Sequence, residues 1–408
     1  MRTIVNNATV LDTTSMSYRP DQTVVIDDGI IVQVDSSAAT GADVELDAAG
    51  AYVVPGLIDG HVHFRLATLN FRRLSVMSEV EFGIVMARLA RQTVERGFTT
   101  VRDLGGDLFG LIRAIRSREA LGPRIVTAGR MISQTGGHGD TEGGHLEMAS
   151  CGCSLRSNNF SVVADGAEAV RKAARHNLRD GSDFLKIHVS GGVATPMDPL
   201  DSVQYTHEEI SAAVVEAAHR RTYVAAHAYI PESILMAVES GVHSIEHGNM
   251  IDEEAAMAIA DADSVLVPTL VAYHGMAELG EKLGFPKTNQ DKNARVLEAG
   301  LRSLEIAKNA GVTMAYGTDL IGESQWMQNR ELTIRSEVLS TAEILEAMWV
   351  NTPALCHMQG RIGVVAEGAF GDLVISRVDP LEDIVAFSDP ASAFSHVLKG
   401  GEVVVDRS

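Results

Sequence analysis

Five side chains that can bind metals and one out-of-place lysine carry the chemical interest of this sequence. His61 and His63 flank Val62, and side chains two apart on a strand share one face, so both imidazoles can meet one metal ion. Such a pair is weak alone, because paired histidines arise by chance. Support comes from His227, His247 and Asp319, each at or just past the end of a short apolar run. Lys186 sits in Phe184-Leu185-Lys186-Ile187-His188, and a lysine inside an apolar strand is costly unless its charge is paired or removed. Carboxylation by carbon dioxide would turn the amine into a carbamate anion whose two oxygens can bridge two cations. The alternative is a lysine snorkelling from a frayed strand end.

The elements that must position these groups follow from patterning. Apolar strand-like runs alternate with amphipathic helical stretches, as expected of βα units around a parallel sheet. The strands are expected at Val53–His63, Thr99–Asp103, Arg124–Ala128, Phe184–Val189, Tyr223–His227, Ser244–His247, Val265–Thr269 and Thr313–Thr318. Helices are expected over Glu79–Arg96, Gly166–Arg179 and Thr206–Arg220, the last opened by a capping box of Thr206 and Glu209. Eight such units predict an α/β fold, a (β/α)8 TIM-like barrel over residues 55–359. On such a barrel the histidines, Lys186 and Asp319 all fall where catalytic groups are placed. The two chain ends read instead as short β runs with turn signals, including Asp27-Asp28-Gly29 as a hairpin. They are expected to pair into a small β-sandwich domain of residues 1–54 and 360–408. The stretch from Ile132 to Ala164 is long and rich in Gly, Ser, Asn and His, which predicts a functional loop over the barrel mouth.

Composition narrows the function. With 408 residues, 45% of them hydrophobic and 22% charged, the chain can bury a large core. A net charge of −20 argues against nucleic acid or an anionic membrane as partner and favours a small molecule. No signal-peptide pattern opens the chain, which predicts a cytoplasmic protein. Cys151, Cys153 and Cys356 are too few for a disulfide framework and are expected to be bystanders.

Taken in chain order, His61, His63, Lys186, His227, His247 and Asp319 on strands one, one, four, five, six and eight resemble the binuclear metal set of the amidohydrolase superfamily. The words around them agree: Pro55-Gly56-Leu57-Ile58-Asp59-Gly60, Gly97-Phe98-Thr99-Thr100-Val101-Arg102-Asp103, Ile245-Glu246-His247-Gly248, Gly317-Thr318-Asp319 and the terminal Gly371-Asp372-Leu373-Val374. Ser133-Gln134-Thr135-Gly136-Gly137-His138-Gly139-Asp140, Ser190-Gly191-Gly192-Val193 and Ala226-His227-Ala228-Tyr229 are similar to the imidazolonepropionase-like branch, with its prolidases, Xaa-Arg carboxypeptidases and ochratoxin-cleaving amidases.

The resemblance implies two Zn²⁺ or other divalent ions per chain. His61, His63 and Asp319 would hold the more buried ion and His227 and His247 the more exposed one, with carboxylated Lys186 and a hydroxide between them. It implies hydrolysis of the amide bond of a dipeptide or N-acyl amino acid, Asp319 moving the proton and His138 and Tyr229 lying near the substrate carbonyl and carboxylate. A homo-oligomer is expected. The competing readings are an aryl amide or carbamate hydrolase, a mononuclear deaminase or cyclic amidine hydrolase, and a non-catalytic scaffold.

Other residues draw plainer readings. His219 and His243 are expected at the surface, and His145 in solvent. His188 either lines the pocket or fills the barrel. Arg102 is expected to pair with Asp103, while Phe64, Tyr273 and Trp326 suggest an apolar pocket or ordinary packing.

Overall fold

A strand covered on both faces must be apolar on both, and the short central runs of this chain meet that condition. The computed structural model describes residues 1–74, 76–140, 160–195 and 197–408. The N-terminal strands are β1 (Arg2–Asp12), β2 (Ser17–Asp27), β3 (Ile30–Asp35), β4 (Val44–Asp47) and β5 (Tyr52–Pro55). The central strands are β6 (Leu57–Val62), β7 (Phe98–Asp103), β8 (Arg124–Thr127), β9 (Met131–Ser133), β10 (Ser161–Val163), β11 (Leu185–His188), β12 (Val224–Ala228), β13 (Ser244–His247), β14 (Val265–Val267) and β15 (Thr313–Met314). The chain closes with β16 (Leu373–Ser376), β17 (Phe394–Lys399) and β18 (Glu402–Asp406).

The central strands pair in parallel and close into the expected barrel. Hydrogen-bonded ladders run β6-β7-β8 and β9-β11-β12-β13-β14-β15. Gly60 N donates to Tyr316 O at 2.7 Å and Asp319 N to His61 O at 2.7 Å, which joins the chain beyond β15 to β6. On the other side Asp183 N donates to Thr127 O at 2.8 Å. The third barrel position is split. β8 pairs with β7, the chain bends at Gly129 (φ +68°), and β9 then pairs with β11. The first expected strand is also divided: β5 pairs with β1 and β16, and β6 enters the barrel after Gly56, where a Cβ would lie 2.0 Å from Thr99 Oγ1. β7, β8, β11, β12 and β13 match their expected spans to within one residue at either end.

Both chain ends join in one eight-stranded mixed sheet, ordered β18-β17-β16-β5-β1-β2-β3 with β4 beside β1. It curls round its own core, which includes Val5, Val24, Ile31, Val53, Leu373 and Leu398. Ile31 N donates to Ala369 O at 2.8 Å, returning one edge toward the segment that leads into β16. The β2–β3 turn holds Asp28 and Gly29 at φ +46° and +84°, the left-handed pair a tight hairpin needs.

Helices pack on the outside of the barrel strands. The one over His207–His219 starts with the expected capping box, Thr206 N donating to Glu209 Oε2 at 2.8 Å. Among the described residues no helix is long and apolar enough to cross a membrane. Most of the Ile132–Ala164 loop, with Cys151, Cys153 and His145, lies outside the described residues. Cys356 is buried.

Candidate active site

Alternation along β6, β7, β11 and β13 aims a set of polar side chains into the barrel, where water cannot compensate them. His61, Arg102, Lys186 and Glu246 are each at most 1% exposed. Arg102 Nη2 donates to Glu246 Oε1 at 2.8 Å, and Glu246 Oε2 meets His61 Nδ1 at 2.7 Å. Burial works to raise the Glu246 carboxyl, but Arg102 and His61 outweigh it and hold the group well below the usual carboxylate range. Its negative charge fixes the His61 tautomer and turns the free Nε2 toward the barrel mouth. Arg102 also donates to Gly60 O at 2.8 Å and to Ser244 Oγ at 3.0 Å, tying three strands together.

His61 Nε2 lies 3.3 Å from His63 Nε2 and 3.4 Å from Asp319 Oδ1. His63 Nε2 is 3.3 Å from the same oxygen, and His247 Nδ1 is 3.9 Å from Asp319 Oδ2. Ligand atoms of His61, His247 and Asp319 fall within 4.8 Å of one another, a spacing that can hold a metal ion. The His227 ring is 4.6 Å from that of His247. Burial, reinforced by the basic side chains around them, His138 foremost, pushes His188 and His227 well below the ordinary imidazole value; burial likewise dominates at His247, and His61 falls to about 4. These rings are therefore neutral near pH 7, the form in which an imidazole binds metal. Burial acts to raise Asp319, yet His61, His63 and His247 hold it well below its usual value, so it stays anionic.

Lys186 Nζ is buried with no hydrogen-bond partner. Burial lowers its pKa to about 8, with Glu246 and Asp319 acting the other way. Its amine and the neutral imidazoles fit a carbamate facing divalent ions, because an ammonium there would be left with all three donors unmet.

The backbone is held to this geometry. His247 and Asp319 both adopt left-handed φ, +75° and +53°, conformations uncommon outside glycine and costly unless the surroundings enforce them. Enforcement at Asp319 comes from buried Asp59, which accepts from His61 N at 3.1 Å, Thr318 Oγ1 at 2.6 Å and Gln328 Nε2 at 2.7 Å. That carboxylate links β6 to the segment carrying Asp319.

His138 and Tyr229 flank the histidines. The His138 ring stacks on His227 at 4.4 Å between centroids, and its Nδ1 is 2.8 Å from Asp198 Oδ2. Gly192 must be glycine here, since a Cβ would sit 2.1 Å from the His138 ring. Tyr229 OH is 2.8 Å from Tyr273 OH, which lies 3.3 Å from His247 Nδ1. His188 packs edge-on against His138 and His227, so of its two readings it lines the site.

With this geometry in place, the amidohydrolase family profile matches residues 52–404. The chain belongs to the amidohydrolase family. Ochratoxinase of Aspergillus niger is 30% identical over 363 residues, 86% of this chain and 75% of its own length. A prolidase solved with N-methylphosphonate-L-proline is similar over 100% of both chains, at 38% identity and a TM-score of 0.94. A Xaa-Pro dipeptidase solved with methionine in its active site covers 99% of each chain, at 28% identity and a TM-score of 0.86. This amidohydrolase is a hydrolase of amide bonds.

Several sequence readings need correction. Arg102 does not pair with Asp103, because neighbours on a strand face opposite ways. Arg102 faces Glu246, and Asp103 accepts from Phe64 N at 2.8 Å and Gly105 N at 3.0 Å. His243 is not a free surface group but packs on Tyr223 at 5.5 Å. His219 is exposed as expected. Phe64 is core packing beside Val62 and Leu89, Trp326 is 56% exposed, and Tyr273 bonds to Tyr229. Glu246, Asp59 and Asp198 were missed as functional residues. Glu246 gave one signal, a carboxylate inside an otherwise apolar strand beside a candidate ligand.

Replacing Glu246 with Gln removes the anion that both Arg102 and His61 face. Glu246→Gln is expected to weaken divalent-metal binding by about 10- to 100-fold, measured by competition with a chromogenic chelator. Wild-type affinity in that variant would show that His61 needs no such support.

Proposed function

We propose that this amidohydrolase cleaves the amide bond of dipeptides or N-acyl amino acids, at two zinc ions held by His61, His63, His227, His247 and Asp319 and bridged by carboxylated Lys186. The observation that carries this reading is the buried, unpartnered Lys186 Nζ facing neutral imidazoles and the Asp319 anion. Mononuclear deaminases and cyclic amidine hydrolases usually lack such a lysine, and a scaffold would not require the grouping of His61, His247 and Asp319.

Bound zinc would supply a Lewis acid for the substrate carbonyl and lower the pKa of water. Asp319 remains ionised in its cluster of histidines, so it can take the proton of the attacking water and pass it to the leaving nitrogen. Tyr229 OH donates a hydrogen bond toward the oxygen that gains negative charge, oriented by Tyr273. His138, backed by Asp198, lies beside His227 where the substrate carbonyl and carboxylate would lie. Similarity to a prolidase solved with a proline phosphonate and to a Xaa-Pro dipeptidase supports an amino-acid carboxylate on the leaving side. A second reading, cleavage of an aryl amide, is favoured by the 30% identity to ochratoxinase.

Asp319→Asn is expected to fold and to lose about 10²- to 10⁴-fold in kcat, the usual contribution of a general base, and wild-type turnover would remove the assigned role. Substrate class is read from a panel of Xaa-Pro dipeptides, N-acyl amino acids and N-aroyl amino acids, each with its C-terminal amide as control, and metal is counted on the same sample. The expected result is two metal ions per chain and turnover of free carboxylates over their amides. One ion with ammonia release, or equal turnover of the amides, would contradict the proposal.

A further inference from the structure

Lys292 belongs to the helix Lys287–Asn309, between β14 and β15, yet its ammonium ends in the loop that follows β11. Nζ donates to Gly192 O at 3.0 Å, to Thr195 O at 2.8 Å and to the carbonyl of Asp198, and lies 3.5 Å from Asp198 Oδ1. The side chain is 14% exposed. Three donors on a compact cation thus meet three carbonyl oxygens and a carboxylate, the coordination an unhydrated monovalent ion would find. One turn earlier on the same helix face, Asn289 Nδ2 donates to Val193 O at 2.6 Å.

What the ammonium gathers is the support of His138. Asp198 Oδ2 accepts from Gly192 N at 2.7 Å and faces His138 Nδ1 at 2.8 Å, while Thr195 Oγ1 lies 2.7 Å from the same nitrogen. Burial pulls the Asp198 carboxyl up, but His138, Thr195 and Lys292 together leave it below its ordinary value. The turn is tight enough that a Cβ on Gly191 would lie 1.7 Å from Pro199 O. Without a central cation, the converging oxygens of Gly192, Thr195 and Asp198 would repel one another and move apart.

We infer that Lys292 is a tethered monovalent cation, a positioning residue that draws the carbonyls of Gly192, Thr195 and Asp198 together and so sets Asp198 behind His138. The space its ammonium fills can take free potassium or ammonium once the side chain is cut back. The inference rests on the reading of His138 as a group that meets substrate.

The test compares Lys292→Ala and Lys292→Met with the wild type at equal ionic strength, with potassium, ammonium or tetramethylammonium as the cation. Hydrogen exchange of peptides covering Gly191–Asp198, metal content, and kcat and KM on the best wild-type substrate are read together. Both variants should keep their metal and lose about one to two orders of magnitude in kcat with little change in KM, as expected when a reacting geometry is displaced. Potassium or ammonium should restore exchange protection and kcat in Lys292→Ala. Tetramethylammonium, which is too large, should not, and neither ion should help Lys292→Met, whose stem still fills the space. Wild-type kcat in both variants, or a metal-replete Lys292→Ala that no cation restores, overturns the inference. A Lys292→Ala chain that folds only in potassium or ammonium supports it, and one that folds in no salt overturns it. Exchange reads the turn without reference to substrate. A wild type inactive on dipeptides and N-acyl amino acids, with Lys292→Ala still regaining exchange protection in potassium or ammonium, therefore counts against the proposed function alone.

Discussion

Taking an amine out of water without giving it a partner costs several kcal/mol, and the site around Lys186 is organised by that cost. A surface lysine would be almost wholly charged at neutral pH. With its pKa lowered to about 8, roughly a tenth of Lys186 is the neutral amine at pH 7, the form able to attack carbon dioxide. Were the amine carboxylated as proposed, the carbamate would lie near Asp319 and Glu246, and among the described residues the protein cation set against these anions is Arg102, paired with Glu246. The remaining negative charge faces neutral imidazoles that can neutralise nothing themselves. Divalent cations would resolve that imbalance, so in the proposed site the lysine and the histidines act together.

Such a site also has to be stiff. The barrel achieves this with buried polar links running between strands rather than along them. Arg102 and Glu246 join β7, β13 and β6; Asp59 joins β6 to the segment after β15; Lys292 joins a distant helix to the loop after β11. Arg102, Glu246 and Asp59 are fully buried and Lys292 is 14% exposed; each bonds to groups far away in sequence, and losing one partner of such a link would be destabilising. Left-handed backbone at His247 and Asp319 is sustained by this surrounding network.

Much of this could be read before any coordinates. Eight apolar runs, four of them ending in a candidate ligand and a fifth holding Lys186 inside it, and an Asp28-Gly29 hairpin are local signals, set by spacing within a few residues, and they recur in the fold. Strand limits were less legible: β15 is only Thr313–Met314 because the chain leaves the ladder early to carry Asp319 toward His61. The supporting residues were the hardest. Arg102 looked as though it paired with its neighbour Asp103, yet strand alternation sends the two to opposite sides, and its partner Glu246 lies 144 residues away. Asp198 and Lys292 sit in polar, loop-like or helical surroundings where a charged residue is unremarkable, and only their convergence on His138 gives them a role.

The central claim is that Lys186 acts as an anion, and carbon-13 NMR tests it most directly. The metal-loaded protein is equilibrated with ¹³C-bicarbonate, desalted, and compared with Lys186→Ala treated identically. The account predicts one protein-bound carbamate resonance in the wild type, none in the variant, and loss of the metal pair in the variant. A wild type that holds two metal ions with no carbamate signal, or a Lys186→Ala protein with full metal content, would contradict it.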